Sequence, residues 1–157
     1  MADNEYPFTT FNFAIEIHVQ ELSKLPPHFC NAAFSECDGL EMTMDIKTIR
    51  EGGNNGKQIR LTGPMSYGLL TLKRGMTTSF DLWDWFSAML STNTIKVRAD
   101  AEVVLFAADG KTERVRFLLE RCVPTKLKAP ALNAKDGIIA IEELQLAYES
   151  LTLKRPG

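Results

Sequence analysis

The sequence has few of the residues that build disulfide frameworks or metal centres. Its 157 residues include three cysteines and two histidines. Cys30, Cys37 and Cys122 form no CxxC pair, and an odd set without this spacing argues against a disulfide framework and fits a reducing cytosol. His18 and His28 have no partner at zinc-finger spacing, so we predict no metal site.

Long apolar runs and an excess of one charge are also missing. The uncharged apolar runs are far shorter than the roughly 18 residues that a membrane-spanning helix needs, so we expect no membrane insertion by this chain. The beginning, MADNEYPF, has no basic region followed by an apolar one, so no secretory signal is predicted. The net charge of −2 excludes a globally basic nucleic-acid-binding protein. A hydrophobic content of 45% indicates a folded chain, most simply a single domain spanning 1–157.

Recognisable catalytic motifs are absent as well. No GxSxG is present, and the adjacent acids Glu142 and Glu143 would point to opposite faces of a strand, so they could not share a proton-transfer site. The run GNNGKQ superficially resembles a phosphate-binding loop, but a Walker A motif needs glycine where Glu51 stands and Ser or Thr where Gln58 stands. No cysteine has the histidine base that a nucleophile requires. We therefore predict no catalytic residues, no cofactor and no enzyme.

What the sequence does contain is alternation with a period of two. Apolar residues alternate with polar or small ones over 11–19 and again over 42–47, a pattern typical of half-buried antiparallel strands. Further strand candidates are 58–61, 69–74, 95–99, 103–106, 115–120 and 138–153. About eight strands in one domain predict a mainly β protein, a small antiparallel β-barrel or sandwich.

One segment, about 78–91, has the period of a helix. Leu82, Trp85, Phe86 and Met89 stand at positions i, i+3, i+4 and i+7, which predicts an amphipathic α-helix that flanks the β-structure. Leu82, Trp85 and Phe86 are predicted core residues, because they share the apolar face.

The charges are segregated along the chain. Residues 1–45 hold eight acids and one base, whereas residues 46–75 hold six bases and one acid. This pattern is compatible with solvated faces and with electrostatic complementarity between copies of the chain. Lys73 and Arg74 end a predicted strand, where they could meet a phosphate backbone or, more often, a solvated rim or acids of a neighbouring subunit. Residues 50–57, approximately, lie between two predicted strands and form a glycine- and asparagine-rich loop that is longer than a tight turn needs.

Five blocks of sequence, in the right order, are similar to the tail tube proteins of contractile phage tails and phage-tail-like injection systems. The similarity covers 11–153, but Ile49 stands where the family usually has an aromatic residue and Tyr148 replaces a common histidine. The main tube subunit and a specialised paralogue near the baseplate are both compatible with these departures. The blocks are FSECDGL at 34–40, IREGGNN at 49–55, LTLKRG at 70–75, LWDW at 82–85, and a C-terminal block that combines PTK at 124–126, PALN at 130–133 and AIEELQLAYE at 140–149.

The resemblance implies a structural protein whose subunits form hexameric rings that stack into a hollow inner tube. It implies three kinds of partner: other copies of the chain, sheath and baseplate proteins, and a luminal cargo of DNA or effector protein. It also implies assembly in the cytoplasm into a phage tail, or into a phage-tail-like particle that is released or membrane-anchored. In the family, an extended hairpin reaches neighbouring subunits, so the predicted subunit interface comprises Arg50, Glu51, Gly52, Gly53, Asn54, Asn55 and Lys57. Lys73 and Arg74 are added to it as cations that would pair with acids of a neighbouring subunit.

Two other classes of function stay open at this point. One is a monomeric β-barrel module that binds a small apolar ligand, and the other is an enzyme of unrecognised type. Strict monomeric behaviour would favour the first of these over a tube.

Overall fold

The secondary structure is mainly β with a single helix in the part of the chain that is described. A computed structural model describes residues 7–8, 12–19, 34–50, 52–53, 56–91 and 98–156. In chain order the elements are β1 (Phe13–Val19), β2 (Glu36–Asp38), β3 (Met42–Ile49), β4 (Ile59–Tyr67), β5 (Leu69–Gly75), α1 (Asp81–Ser91), β6 (Ala99–Phe106), β7 (Glu113–Lys128), β8 (Ile141–Ala147) and β9 (Ser150–Lys154).

Seven strands form one antiparallel sheet in the order β1, β6, β7, β8, β5, β2, with β9 paired to β7. The long strand β7 pairs with β9 through its first half and with β8 through its second half. The change of partner falls at Arg121, which has a positive φ of 54°. The described strands do not close the sheet on itself, so of the two architectures predicted, barrel and sandwich, the fold is the sandwich-like one.

One apolar core lies between the two halves of the sheet. Alternation sends one side chain in two inward, and the inward positions of β1, β5, β6 and β8 are almost fully buried. Burial of each large aliphatic side chain contributes about 1.5–3 kcal/mol to folding. The core includes Ile15, Ile17, Leu70, Leu72, Val103, Leu119, Leu144 and Leu146.

The helix covers this core with its apolar face. Leu82 and Trp85 are 1% and 0% exposed, whereas Phe86 is only half-buried and lies at the margin. The helix begins at Asp81, three residues later than the pattern indicated. The Asp81 carboxylate accepts a hydrogen bond from the Leu82 backbone N–H at 2.9 Å, so it meets the unpaired donors of the first turn.

Several strands differ from the expected ranges. The predicted strand 138–153 is broken into β8 and β9 at Tyr148 and Glu149, and β2 was not predicted. Strand β4 continues well beyond residue 61, through Gly63 and Pro64. A shift in the register at this point lets two residues of β4 oppose one of β3, and such a bulge tolerates proline. Phe11 and residues 95–97 of the predicted strands lie outside the described residues.

Candidate functional site: an exposed two-stranded arm

Strands β3 and β4 form a separate two-stranded sheet, here called the arm (42–67). Every residue of β3 is exposed, and β4 is exposed except for two half-buried positions. The arm is nevertheless rich in large apolar side chains: Met42, Met44, Ile46, Ile49, Ile59, Leu61 and Met65 are all at least 40% exposed. Two-stranded ribbons are marginally stable alone in water, and exposed apolar patches of this kind mark interaction sites.

The apolar side chains change face along the arm. Met44 is paired with Met65 near the body, on the face that also carries Met42 and Ile46. Toward the tip, Ile49 is paired with Ile59 on the opposite face, because successive residues of a strand alternate. The arm therefore presents one apolar surface near its base and a second, on its other side, near its tip.

The glycine-rich loop joins the two strands at the tip of the arm. Gly53 has a positive φ of 94°, which glycine adopts without strain. A side chain at Gly52 would meet nothing within 4 Å in this chain, so the fold itself does not require glycine there. Arg50 and Lys57 are exposed. The predicted interface residues Glu51, Asn54 and Asn55 lie outside the described residues.

A tyrosine fixes the base of the arm. Tyr148 lies in the break between β8 and β9 and is 6% exposed. Its hydroxyl donates to the Gly39 carbonyl oxygen at 2.8 Å and accepts from the Glu41 backbone N–H at 3.1 Å. Its ring lies 5.6 Å from that of Tyr67, between centroids. Both segments that connect the arm to the body thus contact one buried side chain.

Gly39 allows the two connecting segments to approach each other closely. Its φ is +108°, and a Cβ atom there would lie 1.9 Å from the Leu69 carbonyl oxygen. Any other residue would therefore push the segments apart. Nearby, the Gly68 backbone N–H donates to the Glu41 carbonyl oxygen at 3.2 Å, which closes the base.

Arg74, predicted as an interface residue, is instead buried inside the chain. It is 3% exposed, and its Nε and Nη2 atoms lie 2.5 Å from carboxylate oxygens of Glu142 and Asp81 respectively. Trp83 Nε1 donates to the other Glu142 oxygen at 2.9 Å, and the Phe34 ring lies below the guanidinium. The prediction is corrected on this point: the inward face of β5 carries Arg74 into a network that joins helix α1 to the sheet.

Lys73 has the opposite orientation and stays at the surface. Its ammonium group lies 3.4 Å from Glu36 on the neighbouring strand β2. Both side chains are well exposed, and such surface pairs contribute little to stability. Lys73 is therefore available to a partner in a way that Arg74 is not.

Few groups in the part of the chain that is described are candidates for metal binding or nucleophilic catalysis. Glu16, His18 and Glu102 lie within 4.8 Å of one another, but Glu102 already pairs with Arg116. Burial raises the pKa of the Cys37 and Cys122 thiols to about 12, so both are protonated and weakly nucleophilic at neutral pH. No described helix is both long and apolar enough to cross a bilayer.

Comparison with known proteins decides the family. Residues 9–152 match the family described as T4-like virus tail tube protein gp19. The chain belongs to this family. The similarity read from the sequence blocks is thereby confirmed, and so is the mainly β fold with one helix.

Several solved structures share the fold of this tail tube protein over nearly its whole length. A chain of the PVC sheath–tube complex, an extracellular contractile injection system in its extended state, is 19% identical with a TM-score of 0.80, over 98% of this chain and 95% of that one. A chain of the anti-feeding prophage baseplate is 21% identical with a TM-score of 0.82, over 96% and 97%. Hcp1 from Flavobacterium johnsoniae is 12% identical with a TM-score of 0.54, over 93% and 97%. No curated protein matches the sequence.

Sequence reasoning missed two features of the site. Tyr148 stood out only as a departure from the family pattern, and nothing local shows that its hydroxyl meets Gly39 and Glu41, more than 100 residues away. Met42, Met44 and Ile46 were recognised as a strand but not as an exposed surface. The alternation showed that one face is apolar but not what covers it, so no local signal indicated the exposure.

Proposed function

We propose that the chain is a subunit of the inner tube of a contractile injection system or phage tail. Its copies form hexameric rings, and the rings stack around a lumen that conducts DNA or effector protein. The observation that carries the proposal is the arm, whose apolar residues are uncovered along its whole length. A ribbon without a core of its own needs a neighbour, and a repeating assembly supplies one to every copy.

Further partners follow from the relatives with the same fold. Those chains belong to a sheath–tube complex and a baseplate, which supports contacts of this chain with sheath and baseplate proteins. We propose assembly in the cytoplasm and incorporation into a tail or tail-like particle. A structural role agrees with the burial of the Cys37 and Cys122 thiols, which are protonated at neutral pH.

The tip of the arm is proposed to contact neighbouring subunits within or between rings. Arg50 and Lys57 offer exposed positive charges there, and Gly52 and Gly53 let a partner's backbone approach closely. The acid-rich first third of another copy would complement these charges.

Deletion of residues 52–56 tests this assignment. We expect the melting temperature to stay nearly constant, because the described residues of this segment are exposed and surface loops tolerate shortening. Ring closure or stacking is expected to fail, as seen by negative-stain electron microscopy beside the unaltered chain, which should form six-fold rings or hollow rods. A five-serine replacement of the same length separates the effect of length from that of composition. Tubes of normal length from the deletion variant would overturn the role of the tip, and a strictly monomeric unaltered chain would overturn the tube.

A further inference from the structure

Three side chains that can bind a metal meet on the outer face of the sheet, where β1 pairs with β6. Glu16 and His18 alternate with buried residues along β1, so they share the face that points away from the core. The register of the two strands places Glu102 directly opposite Glu16. One donor atom from each of the three residues lies within 4.8 Å of the other two, and all three side chains are half-buried. Glu16, His18 and Glu102 are here called the outer-face triad.

The distances in the outer-face triad fit a divalent metal ion. Nε2 of His18 lies 3.5 Å from Oε2 of Glu16. Zinc binds imidazole nitrogen and carboxylate oxygen at about 2.0–2.2 Å, so two ligand atoms of a tetrahedral site lie about 3.4 Å apart. One pair of donors is therefore already at the separation that a single ion requires. Glu102 can reach the same ion by a rotation of its side chain, which is only partly buried.

This part of the sheet carries more negative than positive charge. Glu16 and Glu102 are opposite each other in the ladder, and like charges at such positions destabilise a strand pair. Arg116 pairs with Glu102, but it also pairs with Glu113, through Nε at 2.9 Å. One guanidinium thus serves two carboxylates, while the ion-pair partner of Glu16 is the His18 imidazole. A divalent cation would balance the remaining charge.

The contact with Arg116 does not use the whole Glu102 carboxylate. Nη1 of Arg116 donates to Oε2 of Glu102, and a carboxylate has a second oxygen with lone pairs of its own. Glu102 can therefore bind Arg116 through one oxygen and a metal ion through the other. Because both draw on the same negative charge, Arg116 competes with the metal and does not exclude it.

We infer that the outer-face triad binds Zn²⁺ or a similar divalent ion of the first transition row, and that this ion fastens β1 to β6. An imidazole ligand favours such ions over Mg²⁺ and Ca²⁺, which prefer oxygen ligands. Three protein ligands leave a fourth position for water. Among the described strands, β1 pairs with β6 alone, so the ion would hold an edge strand of the sheet. The spacing of the histidines along the chain predicts no metal site, because Glu102 joins the triad only through strand pairing.

Calorimetric titration of the full chain with zinc chloride tests the site. We expect saturable binding of one ion per chain, and at least tenfold weaker binding in His18→Gln and in Glu16→Gln. The matched control is Glu143→Gln, which removes a carboxylate on β8 outside the triad and should leave the affinity unchanged. Arg116→Gln removes the competing cation and is expected to raise the affinity at least threefold. Thermal melts without metal verify that each variant is folded.

The inference is overturned if the unaltered chain shows no saturable zinc binding, or if His18→Gln binds zinc as tightly as the unaltered chain, as it would if the ion were held by the cysteines. Magnesium chloride that displaces zinc at equal concentration would also overturn it, because the imidazole would then have no part in the site. Should the substitutions on β1 prevent folding, the Arg116→Gln variant decides: an unchanged or lower affinity contradicts the site. The triad lies within one chain, so none of these outcomes bears on the proposed tube.

Discussion

At the scale of single residues, neighbours in the sequence have opposite roles. Lys73 and Arg74 are adjacent cations on β5, yet Lys73 is at the surface and Arg74 is 3% exposed. The Asp81 carboxylate, the Trp83 indole N–H and the Phe34 ring surround the Arg74–Glu142 pair. A buried charge is tolerated only where such partners replace water.

Replacement of Arg74 by methionine is expected to lower the free energy of unfolding by about 3–5 kcal/mol, because it leaves the Glu142 carboxylate buried without its cation. Urea denaturation followed by tryptophan fluorescence measures the change. The matched control is Lys73→Met, one position away, where the loss of an exposed pair is expected to cost less than about 1 kcal/mol. Equal effects of the two substitutions would show that the buried network is not what joins the helix to the sheet.

At the scale of elements, the direction of the arm depends on few contacts. Tyr148, Gly39 and Glu41 form its connection to β8, whereas the strands beyond them are exposed on both faces. A small change of angle at this connection therefore displaces the tip of the arm by a larger distance.

Tyr148→Phe is expected to broaden the range of arm directions while it keeps the ring contact with Tyr67. It removes only the hydroxyl and with it the hydrogen bonds to Gly39 and Glu41, each of which contributes about 0.5–1.5 kcal/mol. Distances between spin labels on ketone-bearing residues at Thr48 and Glu143, diluted with unlabelled chains, measure the spread. Ile17→Val, which lowers stability by a similar amount in the core, controls for stability and should leave the distances unchanged. An identical distribution in Tyr148→Phe would contradict the anchoring role.

Strand alternation and helix periodicity were enough to predict most elements but not their surroundings. The pattern of Met42, Met44 and Ile46 has the same appearance as that of Ile15 and Ile17 in β1. Alternation reports that one face is apolar, and it does not report whether the same chain covers that face. Likewise, the burial of Arg74 depends on Glu142, 68 positions away, and no local pattern carries that information.

At the scale of the whole molecule, the proposed assembly joins apolar and charged contacts in one arm. Near its base, the face of the arm that carries Met42, Met44 and Ile46 is free of charge, whereas Lys47, Arg50, Lys57 and Arg60 are all in the distal half of the arm. Salt weakens exposed ionic contacts strongly and apolar contacts hardly at all.

The salt dependence of assembly is expected to reveal which contact dominates. If the apolar residues of the arm supply most of the affinity, raising sodium chloride from about 0.1 M to 1 M, where the Debye length falls from about 10 Å to 3 Å, should change the concentration needed for assembly by less than threefold. Light scattering across a dilution series measures that concentration. An increase of tenfold or more would assign the larger share to the charged tip.

The exposed arm also carries a hazard for the newly made protein. Among the described residues, its strands pair only with each other, so each presents unpaired backbone groups on which a foreign strand could add and start aggregation. The irregularity at Gly63 and Pro64 interrupts this edge, since proline has no N–H to offer and the bulge twists the strand. Lys47 and Arg60 place charge along the same ribbon. The bulge and these charges would thus oppose aggregation of the subunit between its synthesis and its assembly.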